Sequence, residues 1–479
     1  MGIRNLWELL HHSVEIHSMT ELTVAEGFKE GIEGNNTFDL GIDTSSWFKQ
    51  SAVPFRHQHH NAGENPELKT IFSKMYHLAQ LPIRVIFIYD GDKRPKIKRG
   101  TQVKGTPHWL TSYTQTMADL FGFVNHTAPG EAEAELALLN RLGHIHAVMT
   151  DDVDVFLFGA LRVIRNRNVK TDGDAVRVYS LATLGLEGGE RLTRGSLILI
   201  ALLAGGDYDQ GISGCGTSLA SRVALYGLGD HLLDIATHHS ESSIEGALAG
   251  WRDDLIRVLR HDPKNIIGRK CRSIANKIDN TFPSLVVLQA YAKPLTSNLS
   301  QHIPQLTSCR PDLVGLASFC FNRFGWSPCV IHEKFQKHLW HGVCVQTLIQ
   351  LDTWQSMLEP SDILRVSRRN VDLQIYHCSL EGSALVAATQ DGINSAQINN
   401  LLASNPLDSR DSEAASQAKV PIPLAILARA RPDLIHRGGC IVHQDGGSNS
   451  GRSVGVGSGG SGGSDIFKAQ GGGSFIDLT

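Results

Sequence analysis

Four hydrophobic runs in the first 208 residues end in acid: 38–42 before Asp43, 85–89 before Asp90, 147–150 before Asp151–Asp154, and 197–204 before Gly205, Gly206 and Asp207. Between them lie stretches with helical spacing, such as 111–121 and 131–142. Strands alternating with helices make a largely parallel α/β sheet with helices on both faces. In such a sheet, ligands collect outside the carboxyl ends of the strands. Asp43, Asp90, Asp152, Asp154 and Asp207, joined by Glu131 and Glu133, put seven carboxylates there. Converging carboxylates repel one another, and hard, oxygen-seeking Mg²⁺ or Mn²⁺ is their natural neutraliser. Two such ions about 3.5–4 Å apart can clamp the attacking and leaving oxygens of a phosphodiester.

The chain has 479 residues, 41% of them hydrophobic, enough for large cores and two or three domains. Its start, Met1-Gly2-Ile3-Arg4-Asn5-Leu6-Trp7, lacks the basic-then-apolar layout of a secretory signal. The longest apolar run, 196–204, is too short for a bilayer. Eight cysteines without a CxxC pair indicate neither a zinc site nor a disulfide framework, and fit reduced thiols. The net charge of −3 first argues against a nucleic-acid partner. The basic residues are clustered, however. Lys93, Arg94, Lys96, Lys98, Arg99 and Lys104 form one patch, and a second runs from Arg252 to Lys277. Local fields matter more than net charge for phosphate binding, although a solvated helix face explains either run as well.

Beyond the sheet, residues 209–330 read as mainly helical. Gly211-Ile212-Ser213-Gly214-Cys215-Gly216 is a tight turn leading into a helix at 218–225. Two helices joined this way offer main-chain groups to a phosphate backbone or a monovalent cation such as K⁺. After a linker from 331, strands are expected at 371–376 and 384–388 and a helix at 423–431, as one small module. From 438 to 479 the chain is Gly/Ser-rich and is expected to be disordered, with repeats like those of an expression linker.

Residues 1–330 resemble the flap-endonuclease/xeroderma-pigmentosum-G family of structure-specific nucleases. The matching pieces are Met1-Gly2-Ile3 with Leu6-Trp7, Gly41-Ile42-Asp43 with Trp47, Tyr89-Asp90-Gly91, Pro129-Gly130-Glu131-Ala132-Glu133-Ala134-Glu135, Thr150-Asp151-Asp152-Val153-Asp154, Gly206-Asp207-Tyr208, and the Gly211–Gly216 turn. The resemblance implies that the seven carboxylates carry two Mg²⁺. It gives Lys98 the stabilisation of the pentacovalent phosphate, on a segment one residue longer than the family pattern. The family's second basic residue has no clean match, and Lys104 is the nearest. DNA would be held by Gly211, Gly214, Gly216, Lys93, Lys96 and Lys104. Because residues two apart on a helix do not lie side by side, one of Glu131 and Glu133 is expected closer to metal than the other. Glu135 reads as a solvated helix residue. Trp7 is open to two roles, plain core or a wedge against a DNA end.

The interval from Asp90 to Glu131 must also supply the helix at 111–121, and Gly100, Gly105 and Pro107 interrupt it. Little remains for the long threading arch of flap endonucleases. The resemblance is therefore to the eukaryotic Holliday-junction resolvase branch, with 331–437 holding a chromodomain-type module. It implies a nuclear enzyme that nicks four-way junctions in pairs and cuts 5′ flaps, leaving 5′ phosphate and 3′ hydroxyl. It would be a monomer in solution and a dimer on the junction, without membrane attachment. The alternatives are a flap endonuclease or 5′ exonuclease of the same family, a small-molecule phosphatase using Asp90 and Asp92, and a non-catalytic junction-binding scaffold.

Overall fold

The computed structural model describes residues 2–29, 37–53, 64–95, 97–98, 100–103, 106–166, 169–240, 242–298, 310–349, 360–368, 374–401 and 417–438. Its strands are β1 (Glu15–Ser18), β2 (Phe38–Asp43), β3 (Ile83–Tyr89), β4 (Ile97–Lys98), β5 (Thr101–Gln102), β6 (Val124–Thr127), β7 (Ala147–Met149), β8 (Arg162–Arg165), β9 (Ala175–Ser180), β10 (Pro360–Arg368), β11 (Gln374–Glu381) and β12 (Gln417–Pro423). Seven form the main sheet, in the order β1-β9-β8-β7-β2-β3-β6. The run β8-β7-β2-β3-β6 is parallel, and β9 and β1 close one side antiparallel. All six residues of β2 are buried, as expected of a central parallel strand covered on both faces.

The pleat sorts the sheet's side chains into two cores. Phe38, Leu40, Ile42, Val85, Phe87, Ala147 and Met149 face one layer, which contains helices Thr44–Ala52, Pro66–Ala79 and Leu110–Leu120. Ile86, Ile88, Val148, Val163 and Tyr179 face the other, built from Ala132–Arg141, Arg194–Ala204 and the helices that follow as far as Leu285–Ala292. Gly41 lets the second layer close on β2: a Cβ there would lie 2.4 Å from Leu136 Cδ2.

The first core also takes in helices Leu313–Phe324, Pro328–Lys334 and Trp340–Ile349, and residues of the small antiparallel sheet β10-β11-β12. Gln346 Nε2 donates to the carbonyls of Ala79 (3.2 Å) and Leu81 (2.9 Å). It thereby satisfies acceptors that the end of helix Pro66–Ala79 leaves open.

Several expectations change. Residues 384–388, read as a strand, lie within helix Ser383–Leu401, which the alanines and leucine of that stretch favour. The strand expected at 371–376 starts at Gln374, and 371–373 lie outside the described residues. The stretch from 331, expected as a linker, begins with buried helical turns around Phe335 and Trp340. Helix Pro66–Ala79 and strands β1, β6, β10 and β12 were not foreseen. The second basic patch is partly structural. Arg252 is buried and donates to the carbonyls of Asn280 (3.0 Å) and Phe282 (3.2 Å) and to Glu245. Residues 439–479 lie outside the described chain.

Candidate active site

The carboxylates gather where β2, β3 and β7 end. Asp43 closes β2 and caps helix Thr44–Ala52, accepting from Ser45 N (3.0 Å) and Ser46 N (3.4 Å). Its other oxygen accepts from Thr150 Oγ1 at 2.7 Å, and Thr150 Oγ1 in turn accepts from Asp152 N at 3.0 Å. Asp90, just past β3, accepts from Ala132 N at 3.0 Å and pairs with Arg94 at 2.9 Å. The start of the acidic helix Ala132–Arg141 is thus pinned to the end of β3. Asp152 caps a short turn of helix through Asp154 N (3.1 Å). Asp154 Oδ1 accepts from Ile3 N at 3.0 Å. Asp207 follows helix Arg194–Ala204 across the two-glycine corner.

Lys98 lies on the β4–β5 hairpin, whose two-residue strands alternate sides. Ile97 points out, 62% exposed, and Lys98 turns inward. Its ammonium pairs with Glu131 and lies 3.8 Å from Glu133 and 3.7 Å from Asp207. Burial pushes the Lys98 pKa down, but Glu133, Glu131 and Asp207 outweigh it, so the side chain stays charged. Glu131 is not itself helical. It is the N-cap residue, in extended conformation, which is how it and Glu133 reach one lysine despite their spacing. Tyr208 also donates to Glu131.

Every carboxylate of the seven feels another. Burial raises the pKa of Asp43, and Asp90 and Asp152 add to it. Burial likewise raises Glu131, Glu133, Asp152 and Asp154, Glu133 and Asp154 most strongly, with Asp207 acting on Glu131, Asp152 and Asp154. Asp154 Oδ2 is buried and has no hydrogen-bond partner among the described residues. Among the described residues, no three His, Cys, Asp or Glu side chains are arranged to hold a metal ion as they stand. The donors converge without closing. An all-oxygen set with excess negative charge and an orphaned buried oxygen suits a hard divalent cation.

Other residues enter the site without a strong sequence signal. Gly2 has φ +72, and a Cβ there would lie 2.1 Å from Asp154 Oδ1 and 2.5 Å from Asp152 Oδ1. Only glycine lets the chain pass over these carboxylates. Glu135, expected to be solvated, is fully buried, 3.1 Å from His126 Nε2 and accepting from Ser297 N at 2.8 Å. Trp7 donates to the Asp151 carbonyl (2.8 Å), packs on Tyr179 and Phe156, and carries Arg165 4.8 Å over its ring. These contacts pack a half-buried ring against the second core.

In the turn 211–216, Gly211 and Gly214 have positive φ. A Cβ on Gly214 or Gly216 would meet open space. The Ser213 carbonyl accepts from Lys277 Nζ at 2.7 Å. Lys93 is exposed, and Lys96 and Lys104 lie outside the described residues.

Residues 1–108 match the XPG N-terminal domain and residues 122–207 match the XPG I-region. All seven carboxylates and Lys98 fall within these two matches. The human relative "Flap endonuclease GEN homolog 1" is 26% identical over 263 residues, 51% of this chain. A Xenopus laevis relative, "DNA excision repair protein ERCC-5 homolog", is 29% identical over 241 residues, 50% of this chain. The matched parts cover 27% of the human protein and 19% of the frog protein, so the chain spans a minor part of either. Among solved structures, the Holliday junction-resolving enzyme GEN1 with product DNA and Mg²⁺ is similar at TM-score 0.69 and 25% identity, covering 91% of this chain and 98% of that one. GEN-1 with sodium reaches TM-score 0.70 at 25% identity over the same shares. No helix among the described residues is long and apolar enough to cross a membrane.

Proposed function

We propose that this chain is a Mg²⁺-dependent, structure-specific endonuclease of the nucleus that resolves four-way DNA junctions by paired nicks and also cuts 5′ flaps. The observation that carries this reading is the electrostatic network that links the seven carboxylates at the carboxyl edge of the sheet and reaches Lys98 through Glu131, Glu133 and Asp207. Asp43, Asp90, Glu131, Glu133, Asp152, Asp154 and Asp207 would hold two Mg²⁺, with Mn²⁺ able to substitute. When bound, these ions supply positive charge for the attacking and leaving oxygens of the phosphodiester. Lys98 stays protonated and offers its charge to the phosphate as negative charge grows there. Arg94 and Ala132 N hold Asp90, and Thr150 holds Asp43, so neither carboxylate must be ordered at the moment of reaction. The products are a 5′ phosphate and a 3′ hydroxyl.

Between β3 and helix Leu110–Leu120, the described residues contain only the β4–β5 hairpin. This supports an open site that accepts DNA without a free 5′ end. One site makes one nick, so two copies act on a junction. Contacts to duplex would come from Gly211, Gly214 and Gly216, with K⁺ at that turn, and from Lys93, Lys96 and Lys104. The phosphatase reading is weaker. Asp92 is exposed beyond β3, while Asp90 is tied to the acidic helix.

A supercoiled plasmid with an extruded cruciform tests the reading, because relaxation collapses the structure after a lone nick. Linear product with few nicked circles is expected in Mg²⁺ and none in EDTA. Cutting of 5′ flaps with an untouched cruciform would leave a flap endonuclease instead. Nicked circles alone would remove paired action.

A further inference from the structure

The site described so far handles phosphates, and nothing in it recognises a base. Three aromatic rings lead away from it. Phe48 is buried on helix Thr44–Ala52, five residues on from Asp43, which is about 7 Å along a helix axis. His108 stacks on Phe48 with ring centroids 5.1 Å apart and planes 22° apart. Trp109 follows His108 at 6.1 Å and 31°. The rings pass from the core to solvent: Phe48 is 7% exposed and Trp109 is 49% exposed.

This stack is built rather than loose. His108 Nδ1 accepts from Leu110 N at 3.3 Å, and the His108 carbonyl accepts from Thr111 N at 2.9 Å, which fixes the ring at the start of helix Leu110–Leu120. Tyr113 meets Trp109 edge-on at 6.4 Å and 71°, and Arg323 lies 5.0 Å over the Tyr113 ring. Helix Leu110–Leu120 runs into the parallel strand β6, so its first turn lies at the carboxyl end of the sheet, with the carboxylates. Lys49, next to Phe48, is exposed, and its charge acts on Asp152.

One stacked step and one tilted step thus end in a half-exposed indole, with the Arg323 guanidinium over the neighbouring Tyr113 ring. A ligand that continues them needs a flat π-face and a negative charge close by. A nucleotide has both. The geometry points to Trp109 as the landing face for one unpaired DNA base beside the cleaved strand, with His108 positioning the indole. This rests on the branched-DNA reading above and adds a base contact to it.

The test uses the full chain with 5′-flap DNA in Ca²⁺, which holds the complex uncut. 2-Aminopurine is placed at each unpaired position in turn, because stacking quenches its fluorescence. The wild type should quench the probe at one position. Trp109→Ala should restore that emission and Trp109→Phe should keep most of the quench, with Tm unchanged because the ring is half exposed. An abasic residue at the same position should weaken wild-type binding on the order of ten-fold and leave Trp109→Ala unaffected. Identical quenching in wild type and Trp109→Ala, or the same abasic penalty in both, overturns the platform while flap cleavage and the nuclease reading survive. A wild type that neither binds nor cuts any branched DNA sinks the nuclease reading, and the platform with it.

Discussion

At Asp154 the fold bears a cost that the proposed reaction requires. Its carboxylate is buried beside Asp152 and Asp207, one oxygen lacks a partner among the described residues, and its pKa is pushed well above the usual carboxylate range. A raised carboxylate pKa means that the charged form is disfavoured in the folded state above the unfolded value of 3.8. Without metal, the native state is therefore penalised at neutral pH, and the penalty fades as pH falls through the folded pKa toward 3.8. Asp154→Asn should abolish Mg²⁺-dependent cleavage yet raise the metal-free Tm by several degrees. Calorimetry in EDTA beside a flap-cleavage assay checks both. A lowered Tm would mean that the carboxylate serves folding. Gly2→Ala should act oppositely: the added methyl displaces Asp154 and Asp152, and activity falls by at least a hundred-fold with the substrate KM little changed.

At the scale of elements, the turn 211–216 separates a duplex clamp from a plain corner. Gly216 has φ −79 and open space where a Cβ would be, so Gly216→Val should leave Tm within a degree of wild type. If a phosphate backbone approaches there, DNA affinity drops about ten-fold or more for flaps and junctions alike, by gel shift in Ca²⁺. Unchanged affinity would leave the turn without a DNA role. Helix Trp340–Ile349 carries a different liability. Burial, the larger effect, and nearby His377 lower the His341 pKa from 6.5 to about 4, against a hydrogen bond at Pro421 that raises it. The folded protein refuses a proton that the unfolded chain accepts. Stability is thus full above pH 6.5 and falls between 6.5 and 4, by roughly 3 kcal/mol in total. His341→Leu should flatten the Tm profile across that window.

What the sequence disclosed follows from physical range. The runs that end in acid are long and apolar, so β2, β3 and β7 and their carboxylates were legible. Strand β6, Val-Asn-His-Thr, is polar at three of its four positions because it lies at the sheet's edge, and its pattern carries little period-two signal. Glu135 looked like surface because charged helix residues usually are. Its burial depends on Ser297, far along the chain, and no local pattern reports such a contact. Gly2 stood inside a matched motif, but its reason, two carboxylates within 2.5 Å of a missing methyl, exists only in three dimensions.

Across the whole molecule, the C-terminal helices are part of the sheet's first core. Trp340 is 1% exposed, in the same cluster as Phe72, Met75 and Phe87. Trp340→Ala should cost about 3–5 kcal/mol and lower a single thermal transition followed by both activity and circular dichroism. Separate transitions would mean that the C-terminal part unfolds alone. The two cores also lie on opposite faces of one sheet. Gly211–Gly216 belongs to the layer of Cys215 and Leu219, and Phe48 and Leu110 to the other. The grips proposed for DNA thus straddle a plate whose edge holds the chemistry. A straight duplex laid against one side leaves the far grip empty, and draping it over the edge means bending a polymer with a persistence length of about 50 nm. A junction or flap is already hinged at its branch point. The stiffness of the substrate, rather than any base sequence, then becomes the filter that spares intact duplex.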